Sequence, residues 1–156
     1  MRASIPIIMR SMLQKTLSEN LIRNDIVQVL TERGITPTQQ RILIAQVLLS
    51  RHQHLSADQV LQRVNAHAIT VSKATVYNTL GLFTAKGLVK EVIVDSTKVF
   101  YDSNTASHHH FYDVDSGTLH DIAVEHVAIQ QLPDPPEAMT IQNIDVIVRV
   151  SAKAAL

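Results

Sequence analysis

The stretch Ser72-Lys-Ala-Thr-Val-Tyr-Asn-Thr-Leu80, continued by Lys86-Gly-Leu-Val89, decides the fold. Ser72 with Thr75 three residues on marks a helix start, where a side-chain oxygen meets an N–H of the first turn. Val76, Leu80 and Phe83 recur at intervals of three and four, which lines one side of a helix, and Gly87 is its natural stop. The period then changes. Val89 to Val94 and Lys98 to Tyr101 flank Asp95-Ser96-Thr97, a pattern that predicts a hairpin.

Three helical segments precede this unit. Ile22, Ile26, Val29 and Leu30 predict a helix over 22–33 that ends at Gly34. Thr36-Pro37 reads as an N-cap with proline in the first helical position, opening a buried helix through Ile42, Leu43, Ile44, Val47, Leu48 and Leu49. Ser56 and Gln59 have capping-box spacing before Val60, Leu61 and Val64. Helices that lead into a two-stranded hairpin form the winged helix-turn-helix pattern, expected over 22–101 after an N-terminal extension, 1–21.

Asp102 to Ser107 is small and polar and reads as a hinge. Beyond it, 108–156 predicts a smaller α/β unit. A hairpin spans His108 to Ile122 around Asp115-Ser116-Gly117, a short helix spans Ala123 to Leu132, and a long strand spans Ile141 to Val150. The fold class is α+β. A C-terminal piece of this size gains stability as half of a symmetric homodimer, which also suits a helix-turn-helix protein on a palindrome.

The composition is ordinary for a globular chain: 46% of the 156 residues are hydrophobic and 18% charged, which excludes wholesale disorder. The formal charge is zero, but it sums two unequal parts. Residues 1–104 hold 12 Lys/Arg against 7 Asp/Glu, and residues 105–156 hold 2 against 7. Such asymmetry points to two tasks in one chain, the basic part suiting double-stranded DNA. Arg41, Lys73, Lys86, Lys90 and Lys98 are the candidate phosphate contacts, with Thr75, Tyr77 and Asn78 on the recognition helix. Asn78 can pair bidentately with adenine, which favours an A/T-rich palindromic operator. Tyr77 either touches a thymine methyl or phosphate, or packs beneath the helix. No apolar run approaches the ~20 residues of a membrane helix, and a cytoplasmic protein without a membrane partner is expected.

Cysteine is absent, so disulfides, thiolate chemistry and Cys-ligated zinc are excluded. Eight histidines remain. His108-His109-His110 is the strongest chemical signal, since residues i and i+2 of a strand share a face. His108 and His110 therefore present two imidazoles together, and His109 faces away. Asp102 precedes them, Asp121 lies on the paired strand, and His52 and His54 precede the third helix. Imidazole plus carboxylate suits Fe2+, Mn2+ or Zn2+ at one site per subunit. The competing reading is a solvated polar strand edge with no ligand. His67, His120 and His126 read as isolated histidines.

Together these residues resemble the ferric uptake regulator family. Ser72 to Leu80 with Lys86 to Val89 is similar to its recognition helix and wing entry, Thr36-Pro-Thr-Gln-Gln-Arg41 to its second helix, and His54-Leu-Ser-Ala-Asp58 to the start of its third. Ala74 to Leu80, Asp102-Ser-Asn104, His108 to Tyr112 and Ile144 to Arg149 look closest to the iron response regulator branch. The resemblance, over roughly 22–150, implies a dimeric metal-responsive repressor or regulator, not an enzyme, with iron, haem or peroxide as the signal. It implies a metal site of His54, Asp102, His108, His110 and Asp121 that joins the two units. Asp113 and Ser116 stand where many members have a first Cys-x-x-Cys pair, and the Cys-Pro haem motif of some members is absent. Asn143-Ile144 replaces a histidine of a further family site, leaving His109 and His126 as candidates for a second site or haem. The other two readings are a metallo-hydrolase using the His/Asp cluster, and a metal-independent winged-helix DNA-binding protein.

Overall fold

The computed structural model describes residues 22–66 and 70–153; the extension 1–21 and His67 lie outside them. Helix α1 occupies residues 22–32 and buries Ile26 and Leu30. Gly34, at φ 66°, supplies the left-handed residue that stops it. Helix α2 is Gln39–Leu49, and its N-cap is Thr38, two residues later than the sequence pattern placed it. The Thr36 carbonyl is already taken by the Thr38 N–H at 3.0 Å and the Arg41 guanidinium at 2.9 Å. Thr38 is then the hydroxyl that reaches the Arg41 N–H.

Helix α3, Ala57–Val64, starts with the expected capping box: Ser56 and Gln59 each accept the other's backbone N–H. Helix α4, Lys73–Ala85, starts at Ser72, whose hydroxyl accepts the Thr75 N–H at 3.1 Å. Its buried apolar side chains Val76, Leu80 and Phe83 are those the periodicity selected, and Thr79 is buried beside them. The three apolar side chains join Leu30, Ile44 and Leu48 in one core, where full burial of each large apolar side chain contributes about 1.5–3 kcal/mol.

Two three-stranded sheets follow. The first has β1 (His54–Leu55), β2 (Lys90–Asp95) and β3 (Lys98–Asp102) in the order β1-β3-β2, all antiparallel. The second has β4 (His108–Asp113), β5 (Thr118–Ala123) and β6 (Ile147–Val150) in the order β5-β4-β6, with β6 parallel to β4. The wing and the second sheet share a smaller apolar cluster of Val92, Val94, Phe100, Tyr112 and Leu119, with Ile147 against it.

Two expectations for the C-terminal part need correction. Instead of a helix over Ala123–Leu132 there is one 3-10 turn, Val124–His126. Val124, Ile129 and Leu132 are exposed, so the apolar stripe has no surface here to pack on. The strand expected over Ile141–Val150 is only Ile147–Val150, because β4 pairs with it from His110 to Asp113 and no further. Upstream, the Val146 N–H is taken by His109 Nδ1 instead.

Candidate metal centre

His54 comes from β1, a two-residue strand that the sequence pattern did not reveal. Its partner in the register with β3 is Asp102. On the second sheet His110 lies directly opposite Asp121 across the β4–β5 pair, and His108 shares its face. The loop 103–107 joins β3 to β4 and brings the two sets of side chains together.

One donor atom from each of His54, Asp102, His108, His110 and Asp121 lies within 4.8 Å of all the others. Asp102 Oδ2 is 3.2 Å from His54 Nε2, 2.9 Å from His108 Nε2 and 3.4 Å from His110 Nε2. Asp121 Oδ1 is 2.9 Å from His54 Nε2 and 3.5 Å from His108 Nε2. His54 Nε2 and His108 Nε2 are nevertheless buried without a hydrogen-bond partner. Their contacts with the carboxylates miss hydrogen-bonding geometry, so each nitrogen is an ion-pair partner when protonated and a free ligand atom when neutral. A buried imidazole nitrogen without a partner is costly, and a divalent ion with N and O ligands removes that cost. The donor set fits a metal.

The imidazole tautomer fits as well. His108 Nδ1 lies 2.8 Å from the Ala106 carbonyl, which can only accept, so Nδ1 carries the proton and Nε2 is left as a ligand atom. Electrostatics favour the charged forms. Burial draws the His54 pKa down, but Asp102 and Asp121 together outweigh it and hold it above the ordinary histidine value. Burial pushes the Asp102 carboxyl up, and the contacts from His110 and His54 and the Asn104 N–H outweigh it, so Asp102 is held far below the usual carboxylate range.

The triplet is not a solvated strand edge: His108, His109 and His110 are all buried. His109 points away from the other two, and its Nδ1 accepts the Val146 N–H at 3.3 Å, which ties β4 to the residue before β6. His126 sits exposed on the 3-10 turn.

On the winged helix, Thr38, Gln40, Arg41, Thr75, Asn78 and Thr79 line one open depression between α2 and α4. Tyr77 is 44% exposed, which rules out packing beneath the helix, and Lys73 Nζ stands 5.6 Å from its ring centroid. Lys86 is exposed after α4. The wing cations are engaged elsewhere. Lys98 Nζ donates to the Tyr112 hydroxyl at 2.8 Å, and Lys90 pairs with Asp145 at 2.7 Å. Arg149 Nη2 donates to the Val94 carbonyl at 2.6 Å. Sequence reasoning missed these contacts, whose partners lie up to 55 residues apart.

A winged helix and a second sheet that together close a His/carboxylate cluster define a winged-helix protein with a candidate metal centre. Residues 32–148 match the Ferric uptake regulator family, and the chain belongs to that family. It is similar to the peroxide-responsive repressor PerR of Staphylococcus aureus, 35% identical over 92 residues. That match takes in 59% of this chain and 62% of the relative, less than two thirds of its length. Two solved structures share the fold. A ferric uptake regulator of Pseudomonas aeruginosa with manganese superposes with a TM-score of 0.60 at 24% identity, over 81% of this chain and 96% of that one. The ferric uptake regulator of Vibrio cholerae superposes with a TM-score of 0.63 at 20% identity, over 81% and 98%. Among the described residues no helix is long and apolar enough to cross a membrane.

Proposed function

We propose that this chain is a dimeric transcriptional regulator whose affinity for DNA depends on a divalent metal held by His54, Asp102, His108, His110 and Asp121. The observation that carries it is the pair of buried, unpartnered nitrogens, His54 Nε2 and His108 Nε2, contributed by different sheets to one cluster. A cation there ties the winged helix to the second sheet and fixes the angle between them. In a dimer that angle sets the separation of the two recognition helices, so a ligand that prefers the closed form shifts DNA affinity.

Exposed Tyr77, Asn78, Lys73 and Lys86, with Thr75 and Arg41 beside them, form the DNA-facing surface in this reading. Asn78 favours adenine and an A/T-rich palindrome. Lys98, bonded to the Tyr112 hydroxyl, stands apart from this surface. The second copy is expected to cover the exposed apolar side chains after β5, which include Ile129 and Leu132. A chromosomal operator would place the protein in the cytoplasm.

The donor set of imidazole and carboxylate suits Fe2+, Mn2+ or Zn2+. Iron or haem is the signal favoured by the likeness to the iron response branch, and His109 or His126 would then be the haem ligand. Peroxide is the signal favoured by the named relative. In that case peroxide treatment of the ferrous protein adds one oxygen to the peptide carrying His54 or His108, which mass spectrometry reads directly.

Membership of a family of regulators weighs against a metallo-hydrolase. The converging unpartnered donors weigh against a protein that has lost its metal. The test is a gel-shift titration on DNA upstream of iron-uptake genes with chelated, Mn2+-loaded and haem-treated protein. A ligand-dependent change in affinity is expected. Equal binding in all three forms, or none in any, overturns the reading.

A further inference from the structure

We propose that Asn104 is a positioning residue for the metal centre, orienting one ligand on each sheet through a continuous run of hydrogen bonds. The proposal rests on the metal-binding reading above. Asn104 lies in the connection between the two sheets and belongs to neither. Its backbone N–H donates to Asp102 Oδ1 at 2.8 Å. That holds one carboxylate oxygen outside the cluster and presents the other, Oδ2, to the three imidazoles.

The side chain continues the run. Asn104 Oδ1 accepts the Ala106 N–H at 3.2 Å, which folds the loop back on itself. The Ala106 carbonyl is thereby brought to His108 Nδ1, 2.8 Å away. A neutral imidazole has two tautomers, and only the one protonated on Nδ1 leaves Nε2 free as a ligand atom. Asn104 thus sets which face of Asp102 and which nitrogen of His108 meet the ion. Groups that orient metal ligands in this way typically change affinity by about 10–100-fold when lost.

The side chain of Asn104 is half-buried and lies outside both apolar clusters, so its replacement leaves the core intact. The backbone N–H that holds Asp102 survives any substitution except proline. Loss of the side-chain oxygen therefore acts first on Ala106 and His108.

The experiment compares the full chain with Asn104→Ala, with the similarly sized Asn104→Leu, and with Asn104→Asp, which keeps an acceptor oxygen. In chelated protein at mildly alkaline pH, nitrogen-15 NMR of the imidazoles reads the His108 tautomer, with His54 as internal reference. Mn2+ affinity is then measured by competition with a fluorescent chelator. The wild type is expected to hold His108 in the Nδ1–H form. Ala and Leu should release it to a mixture and weaken Mn2+ about tenfold or more, leaving the His54 signal in place, and Asp should restore the single tautomer. Ala and Leu variants that bind Mn2+ as the wild type does overturn the proposal, whatever their tautomer. A wild type that binds no Mn2+ overturns the metal reading and this proposal with it, an outcome distinct from equal binding by all forms.

Discussion

Lys90 Nζ meets Asp145 Oδ1 at 2.7 Å, joining the first residue of β2 to the segment just before β6, 55 residues further along the chain. Two residues on from each partner, Val92 and Ile147 pack in the apolar cluster shared by the wing and the second sheet. The pair therefore acts on the same junction that the metal would close, and the two should reinforce each other.

Asp145→Asn is accordingly expected to weaken metal binding, although Asp145 is not a ligand. A partly exposed pair contributes about 0.2–1 kcal/mol, which corresponds to a loss of roughly fivefold at most. The loss should shrink at high salt, where the pair is screened in the wild type too. Chelator competition at two ionic strengths measures it. Restoration of affinity by the exchange Lys90→Asp with Asp145→Lys would tie the effect to the pair. An Asp145→Asn protein with wild-type affinity at low salt would mean that the pair does not act on the metal centre.

Metal should stabilise the wild-type fold more than it stabilises His54→Ala. A ligand at about 100 times its dissociation constant contributes ~2.7 kcal/mol to a folded state that alone binds it. His54 is one of five proposed donors, so its loss leaves the ion four and should weaken binding. Thermal melts with and without Mn2+ make the comparison. Equal metal-induced shifts in the two proteins would exclude His54 from the site.

The pH dependence should change sign with metal. His54 has its pKa raised in the folded chelated protein. The stability this contributes is complete below the unfolded value of about 6.5 and is lost as pH rises through the higher folded value. Metal binding must displace that proton, so affinity should increase with pH over the same interval and protons should be released. Calorimetry in buffers of different ionisation enthalpy counts them. No proton release near neutral pH would mean that His54 is already neutral or does not bind the metal.

Much of this architecture is legible in the sequence because the local signals agree. Ser56 with Gln59, and Ser72 with Thr75, mark helix starts by side-chain chemistry that needs no tertiary partner. The two-residue period of a strand likewise suffices to separate His109 from His108 and His110 in β4. The remainder depends on partners remote in sequence. Strand β1 is two residues long and exists because β3 pairs with it. The stripe from Val124 to Leu132 has helical spacing but no face to bury. Thr36 and Thr38 are both acceptable caps by type, and the bonds made by the Thr36 carbonyl select between them. The contacts of Lys90, Lys98 and Arg149 with the opposite sheet have no periodicity to announce them.

Gln53 is the residue whose loss should separate metal binding from DNA binding. Its backbone N–H donates to Ser103 Oγ at 3.1 Å and its carbonyl accepts the Ser103 N–H at 3.3 Å, next to the proposed ligands His54 and Asp102. Its side chain donates to the carbonyls of Val47 and Leu48 at the end of α2 and accepts from Arg63 of α3 at 2.8 Å. One residue thus links the ligand-bearing strands to the ends of two helices of the winged unit. Gln53→Ala keeps the backbone pair with Ser103 and removes the helix contacts. Its Mn2+ affinity in the absence of DNA should stay within a few-fold of wild type. The factor by which Mn2+ changes DNA affinity should fall toward one, from a coupling of about 5–150-fold typical of such proteins. Gel-shift titrations of both proteins, chelated and Mn2+-loaded, give that factor. An undiminished factor in Gln53→Ala would show that the signal reaches the helices by another route, such as the wing latch at Lys90 and Asp145.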